Sequence, residues 1–170
     1  TGDAEVVLIV LGSAYDTAQV AVDRMRERGE KVGVATLHVL RPFPAEAVRR
    51  ALRGAAAVVV GDRQDSWGAG GGNLTLVVKA ALADEPEARP RFVSRVYGLG
   101  GKHFYEADAE ALLELGIRAA RGERVEPFEY HGTTPGDPDW KPVSPLPPIR
   151  KEEANPGLKV TPDPKTGRLT

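Results

Sequence analysis

Ala55-Ala56-Ala57-Val58-Val59-Val60 runs into Gly61-Asp62-Arg63-Gln64-Asp65-Ser66-Trp67-Gly68-Ala69-Gly70-Gly71-Gly72, and then into Asn73-Leu74-Thr75-Leu76-Val77-Val78. An apolar, valine-rich run of this length reads as a strand buried on both faces. Asn73 suits a helix N-cap, and Leu74, Val77, Val78, Ala81 and Leu82 fall at the three- and four-residue spacing of an amphipathic helix. Strand, glycine loop and helix in this order make one βα unit. Gly98-Leu99-Gly100-Gly101 repeats the arrangement after the strand-like run Arg91 to Tyr97.

Working outward, the same alternation fills residues 5 to 122. Glu5 to Leu11 reads as the first strand. Ser13 is placed to cap a helix carrying Ala18, Ala21, Val22 and Met25, with Gly29 as its stop. Lys31 to Leu40 reads as the second strand. Pro44 suits the first turn of a helix that carries Val48, Ala51 and Leu52 and ends at Gly54. Ala109, Leu112, Leu113, Ile117 and Ala120 line a last helix, which stops near Gly122. Strand alternating with helix four times predicts an α/β three-layer sandwich, a mainly parallel sheet covered by helices on both faces.

From about Glu123 the texture changes. The last 48 residues hold 10 of the 14 prolines and carry neither helical nor strand periodicity. Proline fixes φ and removes a backbone donor, so the segment cannot build a core of its own. Two states remain open, a disordered tail and an extended run across another surface. Phe128, Tyr130, Trp140, Leu146 and Ile149 favour docking, because such anchors are costly on a free tail. The expected organisation is therefore an α/β domain over 1–122 and an extended proline-rich tail over 123–170.

Bulk properties exclude several classes of function. The 23 basic and 24 acidic residues nearly cancel, which gives no electrostatic reason for binding nucleic acid or a membrane surface. Zero cysteines leave no disulfide, thiolate metal ligand or Fe–S ligand. His38, His103 and His131 lie far apart without metal-ligand spacing. The longest apolar stretch, Val6 to Leu11, is far short of the roughly 20 residues that span a bilayer, and no signal-peptide pattern opens the chain. A cytoplasmic protein is the expectation. The first strand starts a few residues after Thr1, so a fragment or a processed chain is expected.

The glycine loops do not match the phosphate-binding patterns. Gly68-Ala69-Gly70-Gly71-Gly72-Asn73 lacks the last glycine of a dinucleotide fingerprint, and Gly72-Asn73-Leu74 lacks the Lys-Ser/Thr of a phosphate loop. Amides at the helix start near Asn73 still leave an anion site open. Ser66 lacks the first glycine of a nucleophile elbow, and no catalytic set assembles from the sequence. Glycine allows close backbone approach, and carboxyl ends of parallel strands are where open α/β sheets meet ligands and partners. The expected interface is Asp62, Arg63, Trp67, Gly68, Gly70, Gly71, Leu99, Gly100 and Gly101. Arg63, Lys102 and His103 are the candidates for a cofactor contact. No catalytic residue and no metal ligand is assigned.

These residues carry a resemblance. Ala4 to Ser13, Gly29-Glu30-Lys31-Val32-Gly33-Val34, Leu40-Arg41-Pro42-Phe43-Pro44, Asp62-Arg63, Ser66-Trp67-Gly68-Ala69-Gly70-Gly71 and Gly98-Leu99-Gly100-Gly101 stand in an order that resembles one family. It is the C-terminal, transketolase C-terminal-like domain of the α subunit of 2-oxoacid (pyruvate):ferredoxin oxidoreductases. The resemblance covers about residues 4 to 122. It implies about five strands, mostly parallel, with one antiparallel edge. It also implies part of an oligomeric enzyme that uses thiamine diphosphate with Mg, Fe–S clusters, coenzyme A and ferredoxin, with those cofactor sites in other domains or subunits. Where that family follows Gly-Leu-Gly-Gly with a basic residue and an aspartate, this chain has Lys102 and His103. The rival expectations are the equivalent domain of a transketolase or 2-oxoacid dehydrogenase component, a stand-alone nucleotide- or CoA-binding module, and an interaction protein working through its tail.

Overall fold

The computed structural model describes residues 2–83 and 90–133. The elements, in chain order, are β1 (Val6–Ile9), α1 (Ala14–Glu27), β2 (Val32–Ala35), α2 (Ala45–Leu52), β3 (Ala57–Asp62), α3 (Asn73–Ala83), β4 (Arg91–Val96), a 3-10 turn at Leu99–Gly101, α4 (Glu106–Ala120) and β5 (Phe128–Tyr130). The strands form one sheet in the order β2-β1-β3-β4-β5, and every pairing is parallel. The antiparallel edge that the resemblance implies is not what forms. The α4 crossover returns the chain to the end of the sheet where the other strands start, so β5 enters in the same direction.

Each face of the sheet carries its own apolar layer. Leu8, Val10, Val59 and Val93 pack with Ala18, Val22, Leu112 and Leu113 of α1 and α4. Val7, Ile9, Val58 and Val60 pack with Val48, Leu52, Leu74 and Val78 of α2 and α3. All residues of β1 and β3 are buried, as central strands between two helix layers must be. Gly116 lets α4 lie close on the sheet: a Cβ there would stand 2.4 Å from Val6 Cγ1 and 2.7 Å from Val59 Cγ2.

Three local readings change. Strand β2 stops at Ala35, where its pairing with Ile9 ends, and His38, Val39 and Leu40 emerge into solvent. Leu37 still packs against the layer of α2 and α3, so the apolar residues past Ala35 belong to a loop rather than to the strand. Ser13 stands at the α1 N-cap, but its hydroxyl makes no capping bond. Asn73 is the first residue of α3, and the cap comes from elsewhere in the chain.

The compact unit runs to Thr133, taking in residues 123–133 beyond the Gly122 boundary that composition indicates. Ser94 N–H donates to Pro127 O at 2.8 Å, so the proline sits where an edge strand needs an acceptor and no donor. Buried Arg95 clasps the new strand. Its Nη1 donates to Glu126 O at 3.0 Å and to Ser94 O at 2.7 Å, and its Nη2 lies 3.0 Å from Glu129 Oε2. Burial pulls the Arg95 guanidinium below its ordinary value, and the charges of Glu129 and Glu126 oppose that shift. The tail over 134–170, with the expected anchors Trp140, Leu146 and Ile149, lies outside the described residues. No helix among the described residues is long and apolar enough to cross a membrane.

Candidate functional site

Parallel pairing brings the loops after β2, β3 and β4 to one edge, the carboxyl end of the sheet. The β3–α3 loop is organised by Asp62. This residue ends β3 and is 6% exposed, and its carboxylate turns inward onto the start of α3. Leu74 N–H donates to Oδ1 at 3.0 Å, Thr75 N–H to Oδ2 at 3.1 Å, and the Thr75 hydroxyl to Oδ2 at 2.9 Å. The Ser94 hydroxyl completes the chain, 2.9 Å from Thr75 Oγ1. A carboxylate at a helix N-terminus satisfies otherwise orphaned amides and complements the helix dipole. The anion that the sequence left open at this helix is thus supplied by the protein itself. Gly72 permits it: a Cβ there would stand 2.3 Å from both Asp62 Cγ and Gln64 O.

The rest of this loop is held by polar contacts and presents one large apolar side chain. The Ser66 hydroxyl donates to Asn73 Oδ1 at 3.0 Å, and Asn73 Nδ2 donates to Gln64 Oε1 at 3.2 Å. Between them Trp67 stands 88% exposed. Gly68 and Gly70 beside it adopt positive φ, 80° and 65°, a conformation that side chains with a Cβ avoid.

The β4–α4 loop touches the first loop through Arg63. Its guanidinium carbon lies 5.9 Å from the Tyr97 ring centre, and a Cβ on Gly98 would meet Arg63 Nε at 2.9 Å. Tyr97 stacks on Phe104 with centroids 4.5 Å apart. Burial pushes the Tyr97 phenol above its ordinary value, while the Arg63 charge pulls it back. Leu99, Gly100, Gly101, Lys102 and His103 are exposed, and the His103 ring lies 5.8 Å from that of Tyr105.

Residues 130–132 stitch these loops together. The Tyr130 hydroxyl donates to Asp65 Oδ2 at 2.5 Å, and this bond holds the phenol above its ordinary value. His131 Nε2 lies 2.8 Å from Asp108 Oδ1, and Asp108 Oδ2 accepts from Tyr105 N–H at 2.8 Å. Lys102 Nζ donates to Gly132 O.

Of the nine expected interface residues, Trp67, Leu99 and the exposed glycines 68, 70, 100 and 101 stand on this edge with Arg63. Asp62 and Gly71 are buried, and Asp62 acts as an internal cap instead of a surface group. Lys102 and His103 are on the edge, and His38 is exposed beyond β2. Sequence reasoning missed Asp65, Tyr130, His131 and Asp108 as a connected set. The only signal available was Asp108, three residues after Tyr105 at a helix start. Among the described residues no three His, Cys, Asp or Glu side chains converge as a metal site would need.

The pyruvate:ferredoxin oxidoreductase core domain II family matches residues 4–109, which run from before β1 into α4. The chain is 47% identical over 100 residues to pyruvate synthase subunit PorA of Thermotoga maritima, covering 59% of this chain and 25% of that subunit. It is 42% identical over 107 residues to the probable pyruvate-flavodoxin oxidoreductase of Escherichia coli, covering 59% of this chain and 9% of that protein. In structure it resembles a split-gene transketolase, described as an inactive beta4 tetramer, at TM-score 0.52 and 22% identity over 69% of this chain and 39% of the other. A 2-oxoglutarate:ferredoxin oxidoreductase from Magnetococcus marinus matches at TM-score 0.51 and 20% identity over 69% of this chain and 18% of the other. These two likenesses concern the fold. The chain spans about a quarter of the length of the Thermotoga subunit. With the family match extending over more than half of its residues, the chain belongs to the pyruvate:ferredoxin oxidoreductase core domain II family.

Proposed function

We propose that this chain is a non-catalytic assembly domain of a thiamine diphosphate-dependent 2-oxoacid:ferredoxin oxidoreductase. The whole enzyme would convert a 2-oxoacid and CoA to acyl-CoA and CO2, passing electrons to ferredoxin. The observation that carries the reading is the carboxyl edge of the sheet. Six of the eight exposed large apolar side chains among the described residues, Val39, Leu40, Trp67, Leu99, Tyr105 and Tyr130, lie there. Apolar surface concentrated on one side of a small domain marks a contact surface, and an exposed tryptophan is the commonest kind of anchor.

The donor set does not fit an Fe–S cluster. A chain with no cysteine offers no thiolate to a cluster, and the described residues bring no ligand triad together. Thiamine diphosphate, Mg and Fe–S clusters are assigned to the other domains or subunits, and no chemical step is assigned to this chain. The Asp62 cap weighs against the rival nucleotide-binding module, because the amides such a module would use are already paired.

A tagged full chain recovered from its own cells should bring with it CoA-dependent, pyruvate-driven reduction of ferredoxin, and the purified chain with thiamine diphosphate and Mg should show no turnover. Decarboxylation by the chain alone, or recovery of the chain without that activity, refutes the proposal.

A further inference from the structure

We infer that the carboxyl edge of the sheet docks on an acidic protein face, whose carboxylates oppose Arg41, Arg63 and Lys102 around a receiving site for Trp67. This rests on the assembly reading above and adds the chemistry of the partner. The observation behind it is how the charges are paired. Along α1, α4 and the opposite edge, cations are matched with acids of the same domain: Arg26 with Asp3 at 2.7 Å, Arg28 with Glu110 at 3.1 Å, Lys31 with Glu5 at 2.7 Å, Arg118 with Glu123 at 2.8 Å, and Arg24 with Glu106.

At the carboxyl edge most of the acids are already engaged, with exposed Asp16 in the first turn of α1 as an exception. Asp62 holds the start of α3, Asp65 accepts from Tyr130, and Asp108 holds Tyr105 N–H and His131. The cations beside them have other partners. Arg41 donates to Leu40 O, Arg63 lies over the Tyr97 ring, and Lys102 donates to Gly132 O. Among the described residues none of the three has a carboxylate partner. Arg50, Arg53, Arg91 and Arg124 are exposed without one too, but no exposed large apolar side chain accompanies them. Such a cation and an exposed apolar side chain also meet on α3, where Lys79 lies over the Phe92 ring three residues from exposed Leu76, but most of the exposed large apolar side chains stand at the carboxyl edge.

A protein face fits this arrangement better than a small anion does. The apolar side chains span three loops and the end of β5, more area than a phosphate or carboxylate would cover. The helix start that would hold such an anion is filled by Asp62. Arginine and tryptophan together are the composition of interface hot spots. Opposed charge around the apolar centre would orient the partner and speed encounter.

The test uses the oxidoreductase complex recovered with the full chain, comparing wild type, Trp67→Ala, the triple variant Arg41→Glu/Arg63→Glu/Lys102→Glu, and the same three changed to Gln. Thermal melting of each full chain first establishes that it is folded; if the Glu series melts early, the Gln series replaces it. The expected result is that wild-type affinity for the remaining subunits falls about tenfold from low to high salt. Charge reversal should weaken assembly by more than about tenfold, and the Gln series by less. Trp67→Ala should weaken it by about tenfold or more at every salt concentration. If Trp67→Ala weakens assembly while the charge variants and salt do not, the acidic partner is refuted and the assembly reading survives. If assembly is intact in all variants, the assembly reading fails with it. Unchanged assembly with a raised KM for CoA in the charge variants overturns the inference in favour of a phosphate ligand.

Discussion

Replacing Asp62 with alanine tests whether the glycine loop is organised from within. The change removes the acceptor of two buried amides, Leu74 N–H and Thr75 N–H. Leu74 is 2% exposed and Thr75 0%, so no bulk water stands at either amide in the wild-type fold. The Thr75 hydroxyl keeps its Ser94 contact and adds little to the loss. An unsatisfied buried amide costs about 1–3 kcal/mol, and loss of a favourable charge at a helix start about 0.3–1 kcal/mol. Because the site borders an exposed loop that can admit water, the lower part of each range applies, giving about 3 kcal/mol in total. For a chain of this size that lowers Tm by about 6–12 °C. Asp62→Asn keeps one acceptor oxygen and should lose about 1–2 kcal/mol. Urea unfolding of the full chain measures both. Formate, small enough for the vacated space, should restore part of the Asp62→Ala loss while leaving wild type unchanged. A loss below about 1 kcal/mol, or Asn equal to Asp, refutes the internal-cap argument.

Other consequences follow from packing and charge. Gly116→Ala gains up to about 1 kcal/mol in helix propensity, but its methyl has no room beside Val6 and Val59. Overpacking costs about 1–3 kcal/mol, so urea unfolding should show a net loss; a stabilised variant would contradict the close contact of α4 with the sheet. Tyr97 and Tyr130 have raised pKa values, so the native state holds these protons more tightly than the unfolded chain. Their contribution is complete below the unfolded value of about 10 and is lost as pH rises through the native values. Phenolate absorbance should therefore develop later in the native protein than in urea, and Tyr130→Phe should remove part of that lag. Glu129→Gln leaves buried Arg95 without its counter-charge. The cost should be about 1–2 kcal/mol, below the roughly 3–5 of a fully buried pair, because the Glu129 side chain is 56% exposed. Arg95→Met should be milder, since it removes the buried charge itself. Amide exchange in β5 reports both, and β5 protection left unchanged by Arg95→Met would refute the clasp.

Much of the fold was legible along the chain. Residues of β1 and β3 are apolar because both faces of the sheet are covered, and that coverage writes itself into consecutive valines. Leu112 and Leu113 of α4, and Leu74 and Val78 of α3, fall on one face at helical spacing, and all four are buried. The end of β2 was misread because Leu37, Val39 and Leu40 carry the same apolar signal whether they extend a strand, pack from a loop as Leu37 does, or stand on a surface as Val39 and Leu40 do. Strand β5 has three residues, too few to show a period, and the prolines around it, Pro127 and those from Pro135 on, suggested a tail.

The candidate site divides along the same line. Local sequence determined the βα alternation, the positive-φ glycines at 68 and 70, and the presence of two loops after two strands, because each depends on neighbours within a few residues. Only the tertiary structure decided that Asp62 faces inward to cap a helix starting eleven residues later, that Tyr130 reaches Asp65, and that Arg63 crosses to Tyr97. Those pairings depend on strands brought together by the sheet, and a carboxylate's partner across such distances leaves no periodic trace. What remains uncovered once they are made, Trp67 with the unpaired cations beside it, is set by the same long-range pairing.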